Sequence, residues 1–148
     1  MKKDNKGFSL VELIVVVLIM GILAVALTPQ VLRWVERSRI ADDFTTMDTV
    51  KSALQTTLTN ETVFSNNKTT QIQIVLKKGT STISGSVNDA AGNNLLTSYL
   101  GGTAVTDIHF KSDYEAVIST NAAGTVTATM YNGSTHGSAN IVTGIDQN

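Results

Sequence analysis

Cysteine is absent from the 148 residues, so no disulfide can staple this chain and no thiolate can hold a metal or attack a substrate. The redox compartment is left open by the same absence. Histidine occurs twice, at His109 and His136, and neither has the helix-spaced His or Glu partner that a zinc site needs. No Gly-x-Ser-x-Gly, P-loop or dinucleotide fingerprint is present, so the elements of an enzyme site are missing and no cofactor is expected. A basic surplus is missing too: the net charge is −1. That is no footprint for sequence-independent nucleic-acid binding. Proline occurs once, at Pro29, and tryptophan once, at Trp34.

What the chain has in plenty is one apolar stretch. From Phe8 to Leu27 only Ser9 and Glu12 are neither apolar nor glycine across twenty residues. As a helix these would span about 30 Å, the thickness of a bilayer's hydrocarbon core. The basic start, with Lys2, Lys3 and Lys6, is compatible with a secretory signal peptide or with a plain single-pass anchor, oriented by its positive flank. The run is longer than a usual signal h-region, and no small-x-small cleavage site closes it before Pro29. Neither reading explains Glu12. A charge inside a membrane segment is expensive and is a functional hypothesis by default.

Lys6-Gly7-Phe8-Ser9-Leu10-Val11-Glu12-Leu13, with its short basic leader and the apolar run containing Gly21 and ending near Pro29, resembles the type IV pilin and pseudopilin family. The resemblance covers about the first thirty residues; beyond them only general architecture is matched. It implies a leader over residues 1–7, cleaved between Gly7 and Phe8 by a prepilin peptidase, with methylation of the new Phe8 amine. It further implies a hydrophobic transmembrane and filament-core helix over 8–29, and an exported globular domain over 30–148. From Phe8 onward eight basic side chains face eleven acidic ones, because Lys2, Lys3, Lys6 and Asp4 lie before it. Many pilins of Gram-negative bacteria close a C-terminal loop with a disulfide. This chain departs from that pattern, so packing, hydrogen bonds or a metal must hold its C-terminal region.

Glu12 can be read physically beside the resemblance. An unpaired charge in an apolar medium costs several kcal/mol, so the carboxylate needs a cation or a proton. The resemblance suggests the Phe8 amine of a neighbouring subunit, which would set the register of assembly. Pairing within the same chain and simple protonation are the alternatives. Gly21 and Pro29 both weaken a helix, and the segment between them is a candidate for bending or melting. The resemblance ties that to entry into the filament; an ordinary kink at the membrane boundary is the competing reading.

Beyond Pro29, Val31, Val35, Phe44, Met47, Val50, Leu54 and Leu58 recur mostly at steps of three and four, the helical period. They extend the expected helix from about Phe8 to about Leu58, with Glu36, Asp42, Asp43, Asp48 and Lys51 on its wet face. Asn60 to Thr70 reads as a loop. Strands are expected over Gln71 to Leu76, Thr80 to Ser84, Asp107 to Lys111, Tyr114 to Thr120 and Thr125 to Tyr131, and a short helix over Leu95 to Leu100. From Gly133 the tail is polar apart from Ile141, Val142 and Ile145, and reads as an edge strand or a surface loop. Asp89, Asn93 and Asn94 suit a turn better than a calcium site, since EF-hand spacing is absent. Asn60, Asn67 and Asn132 open glycosylation-type triplets, of the sort that arise by chance in an Asn- and Thr-rich chain.

The fold class expected is α+β: a pilin fold in which a long N-terminal helix packs against a small antiparallel sheet. The function expected is that of a non-enzymatic structural subunit, a homo-oligomer in a helical pilus filament serving adhesion, surface motility or biofilm formation. Its partners would be the prepilin peptidase and the inner-membrane assembly machinery. It would lie in the cytoplasmic membrane as precursor and in a surface filament afterwards. A pseudopilin of a secretion or DNA-uptake system is the first alternative, and a membrane-tethered adhesin that never polymerises is the second. Lacking a side chain, Gly7 would let a protease approach the backbone closely; a glycine that merely breaks helix at the membrane entrance is the competing reading. In the first reading, replacing Gly7 by a bulky residue should leave full-length precursor, seen as a heavier band on a gel.

Overall fold

The structure is a computed structural model that describes residues 8–142, and the chain divides into two compact units with the boundary between Glu36 and Arg37. Helix α1, Leu10–Thr57, runs through that boundary without interruption. The second unit adds α2 (Glu61–Thr69), β1 (Gln73–Leu76), β2 (Thr82–Ser84), α3 (Leu95–Tyr99), β3 (Tyr114–Thr120), β4 (Val126–Asn132) and β5 (Ile141–Val142). The strands form one antiparallel sheet in the order β2-β1-β3-β4-β5.

The core of the second unit follows from two periods. Along α1, Met47, Val50, Leu54 and Thr57 are buried at steps of three and four, the spacing of one helical face. Along the strands alternate residues point inward. Register aligns Ile74 with Ile118 and Ala128, and Leu76 with Ala116 and Met130. Together with Val63, Ile72, Leu96 and Phe110 these form one apolar cluster against the helix. Each fully buried aliphatic contributes about 1.5–3 kcal/mol, which lets a unit without disulfides hold together.

Three expectations are corrected. Residues 60–70 are no loop: Asn60 caps α2, its side-chain oxygen accepting from the Thr62 and Val63 amides. Val63, fully buried, and the half-buried Phe64 are the apolar residues of this helix. Asn67 on α2 is fully buried as well. It donates to the Asn121 carbonyl and accepts from the Ile72 amide and the Thr120 hydroxyl, so its amide nitrogen is committed inside the fold rather than offered for glycosylation. Residues 107–111 are no strand. A 3-10 turn occupies Val105–Asp107, and the following residues are fixed singly, by the Phe110 amide on the Lys77 carbonyl and the Ser81 hydroxyl on the Ile108 carbonyl. His109 accordingly lies exposed in a loop.

The third correction is Asp43, which is not on the wet face but 1% exposed. Its carboxylate accepts from the Lys111 and Ser112 amides, each at 2.8 Å, and from the Ser112 hydroxyl. Charge-assisted bonds of this kind are among the stronger ones, and here they tie α1 to the turn that launches β3. Next to it, the exposed Lys111 ammonium meets Asp42 at 2.8 Å, and that contact holds Lys111 above its ordinary pKa.

The C-terminal segment is also held without a covalent link. β5 pairs with β4 through Met130↔Val142 and Tyr131↔Ile141. His136 meets the Glu115 carboxylate at 2.9 Å and leans on the Tyr131 ring. The β3–β4 turn needs its glycine: Gly124 has φ of 79°, and a Cβ there would sit 2.6 Å from the Phe64 ring. A strand at residues 141–142 agrees with the edge-strand reading of the tail, while Ile145 lies outside the described residues.

Asp43→Ala would strand the buried Ser112 amide and hydroxyl and the part-buried Lys111 amide. It should cost about 3 kcal/mol, read as a lowered urea midpoint of the detergent-solubilised chain, whereas Asp42→Ala should leave that midpoint nearly unchanged.

Candidate functional site

Among the described residues the first unit is the N-terminal part of α1. The large apolar side chains from Phe8 through Trp34 are all exposed, Phe8 at 86% and Trp34 at 71%. Helix α1 is long and apolar enough near its N-terminus to cross a membrane, and none of that window is buried. Aliphatic residues of high packing value left bare over so long a stretch mark a surface meant to be covered.

The start of the helix explains what Glu12 does locally. Ser9 precedes the first helical residue, and its carbonyl accepts from the Leu13 amide. The Ser9 amide in turn donates to Glu12 Oε2 at 2.9 Å. This is the return half of a capping box, in which the residue three positions into the helix satisfies an orphan donor at the cap. A carboxylate is also favoured there by the positive end of the helix dipole. One Glu12 oxygen is thus used within its own chain, and the residue is exposed. Phe8 lies four residues away, just before the helix; Gly7 and the rest of 1–7 lie outside the described residues.

Gly21 and Pro29 lie inside α1, and the helix continues through both. Pro29 withdraws the donor that would have met the Val25 carbonyl. One residue earlier, the Thr28 hydroxyl donates to the Ala24 carbonyl at 2.7 Å, a back-bond of the kind that slightly loosens and bends helices. Gly21 floors a shallow notch between Val17, Leu18, Ile22 and Val25. A Cβ built there would meet nothing within 4 Å, so no contact in this chain requires the glycine.

The second unit offers no competing centre among the described residues: no group of three or more His, Asp or Glu side chains lies together. Asp89 spends its carboxylate on its own loop, with Oδ1 accepting from the Ala91 and Asn93 amides and Oδ2 from the Asn93 side chain. Those bonds, the Asn93 side chain foremost, hold Asp89 below its ordinary pKa. Asn94 caps α3. This is turn chemistry. The residue that sequence reasoning missed is Asp43, although positions 43, 47, 50, 54 and 57 continue the buried line of α1.

A chain with one exposed, membrane-length apolar helix leading into a small α+β unit is of the single-span, helix-led class. The prokaryotic N-terminal methylation motif matches residues 2–28. A fimbrial protein of Moraxella nonliquefaciens is 35% identical over 66 residues, which cover 45% of this chain and 43% of that protein. The matched stretch is therefore less than half of the relative's length. No solved structure matches the chain significantly. The chain is thus similar at its N-terminus to proteins that carry this methylation motif and, over part of its length, to a fimbrial protein.

Proposed function

We propose that this chain is a pilin, the structural subunit of a type IV pilus filament, made as a membrane-anchored precursor and assembled from many copies of itself. The observation that carries the reading is the bare apolar helix headed by Glu12. Lipid covers it before assembly, and the same helices of neighbouring copies cover it afterwards. In this reading a prepilin peptidase cuts between Gly7 and Phe8 and the new Phe8 amine is methylated. Glu12, already facing the helix start, exchanges its Ser9 amide for the Phe8 amine of a neighbour and so fixes the register.

Gly21 and Pro29 bracket the segment that loosens on packing, as the missing donor at Pro29 and the back-bonded Thr28 favour. Inner-membrane assembly machinery would drive the transfer, and the finished filament would serve adhesion, surface motility or biofilm formation. A pseudopilus of a secretion or DNA-uptake system shares every one of these N-terminal steps. It is told apart by where the polymer ends.

Glu12→Leu should insert into membranes in normal amount, since it removes a charge from the apolar run, yet give few or no surface filaments by electron microscopy. Filaments of normal number and length from this variant would remove Glu12 from the assembly step.

A further inference from the structure

The apolar run ends in a short, chemically distinct belt. Arg33 and Trp34 follow Val31 and Leu32, and between residues 33 and 39 three arginines stand against the single Glu36. Arg33 and Trp34 are both exposed, on a helix that is continuous there. With Phe8 to Leu27 filling the hydrocarbon, the Arg33 backbone lies about 9 Å past its outer edge. Side chains on a helix lean toward its N-terminus, which here means back toward the bilayer. The lean brings the Arg33 guanidinium to the level of the lipid phosphates and the Trp34 ring to the interface.

The two chemistries at that level fit one partner. An indole belongs at the membrane–water boundary, where its ring is apolar and its N–H is wet. A guanidinium is a planar fork that takes phosphate oxygens two at a time and is weakly hydrated, so it gives up water for a phosphate readily. A neutral zwitterionic headgroup offsets its phosphate with its own cation; an anionic one does not. We propose that Arg33 and Trp34 form a binding belt for anionic phospholipid headgroups in the outer leaflet of the membrane that the precursor spans. The belt fixes how deep the precursor sits, and its lipids must be released when the subunit leaves for the filament.

The inference rests on the reading of residues 8–27 as a membrane span, and the test separates the two. Trp34 is the chain's single tryptophan, so fluorescence excited where tyrosine does not absorb reports this level alone. The full chain is reconstituted into phosphatidylcholine vesicles and checked by flotation. Part of the lipid is then replaced by brominated phosphatidylglycerol or, in parallel, by brominated phosphatidylcholine, and quenching of Trp34 gives their relative association. A basic residue at an anionic surface is worth about a fivefold preference, which is the result expected for the wild type. Arg33→Gln should bring the ratio close to one, and Arg33→Lys should keep most of it, while all three chains float equally.

Equal quenching by the two lipids in a floating wild type would overturn the belt and leave the membrane span standing. A preference unchanged in Arg33→Gln would overturn the assignment to Arg33. Failure of the wild type to float would overturn the span and the belt with it.

Discussion

From Phe8 to Trp34 the large apolar side chains of the helix are exposed among the described residues. Leaving that much aliphatic area in water is unfavourable, and the rest of the chain is arranged around it. Only two media can cover a helix on every side: lipid, or other helices of the same kind. The first needs a length of about twenty apolar residues and a closed backbone hydrogen-bond pattern, and α1 supplies both. The second needs a device that selects one packing among many, because aliphatic surfaces discriminate poorly between registers. In the proposed filament that device is Glu12, because burying an unpaired carboxylate is costly. In this chain its carboxylate accepts from the Ser9 amide.

The second unit has a different problem, to stay folded while attached to such a helix and without covalent staples. It uses the same helix as its central core element. Past Arg37 one face of α1 turns apolar and carries the sheet, so the exposed and the packed parts share one continuous backbone. Two buried polar side chains then close the ends. Asp43 fastens the helix to the start of β3, and Asn67 fastens α2 to the β3–β4 turn and the start of β1. The His136–Glu115 contact and the β4–β5 pairing hold the C-terminal segment. In each case the hydrogen-bonded group sits where a chain segment would otherwise fray, the role a disulfide would have in a cysteine-containing chain.

The parts of this structure legible in the sequence were those with a strong period. The long helix, and the strands Tyr114–Thr120 and Val126–Asn132, follow from spacing that few other arrangements satisfy. Helix α2 escaped because its mostly polar composition resembles a loop; Val63, Phe64 and the Asn60 cap mark it. Residues 107–111 alternate enough to suggest a strand, but they find single tertiary bonds rather than a ladder. Asp43 escaped because a carboxylate was assigned to water by its type, although its position lay on the buried face. Side-chain chemistry and helical phase disagreed there, and phase was right because Lys111 and Ser112, distant in sequence, arrive with three donors. At the N-terminus the motif was plain, while the Ser9–Glu12 contact required knowing where the helix begins.

The most direct measurement is the mass of the intact protein sheared from the surface of cells that make it, with fragmentation of its N-terminus. A filament subunit should appear there as a chain that begins at Phe8 and carries one methyl group on its amine. A chain that begins at Met1, found in the membrane fraction and missing from the sheared one, would contradict the filament and reduce the apolar helix to an anchor.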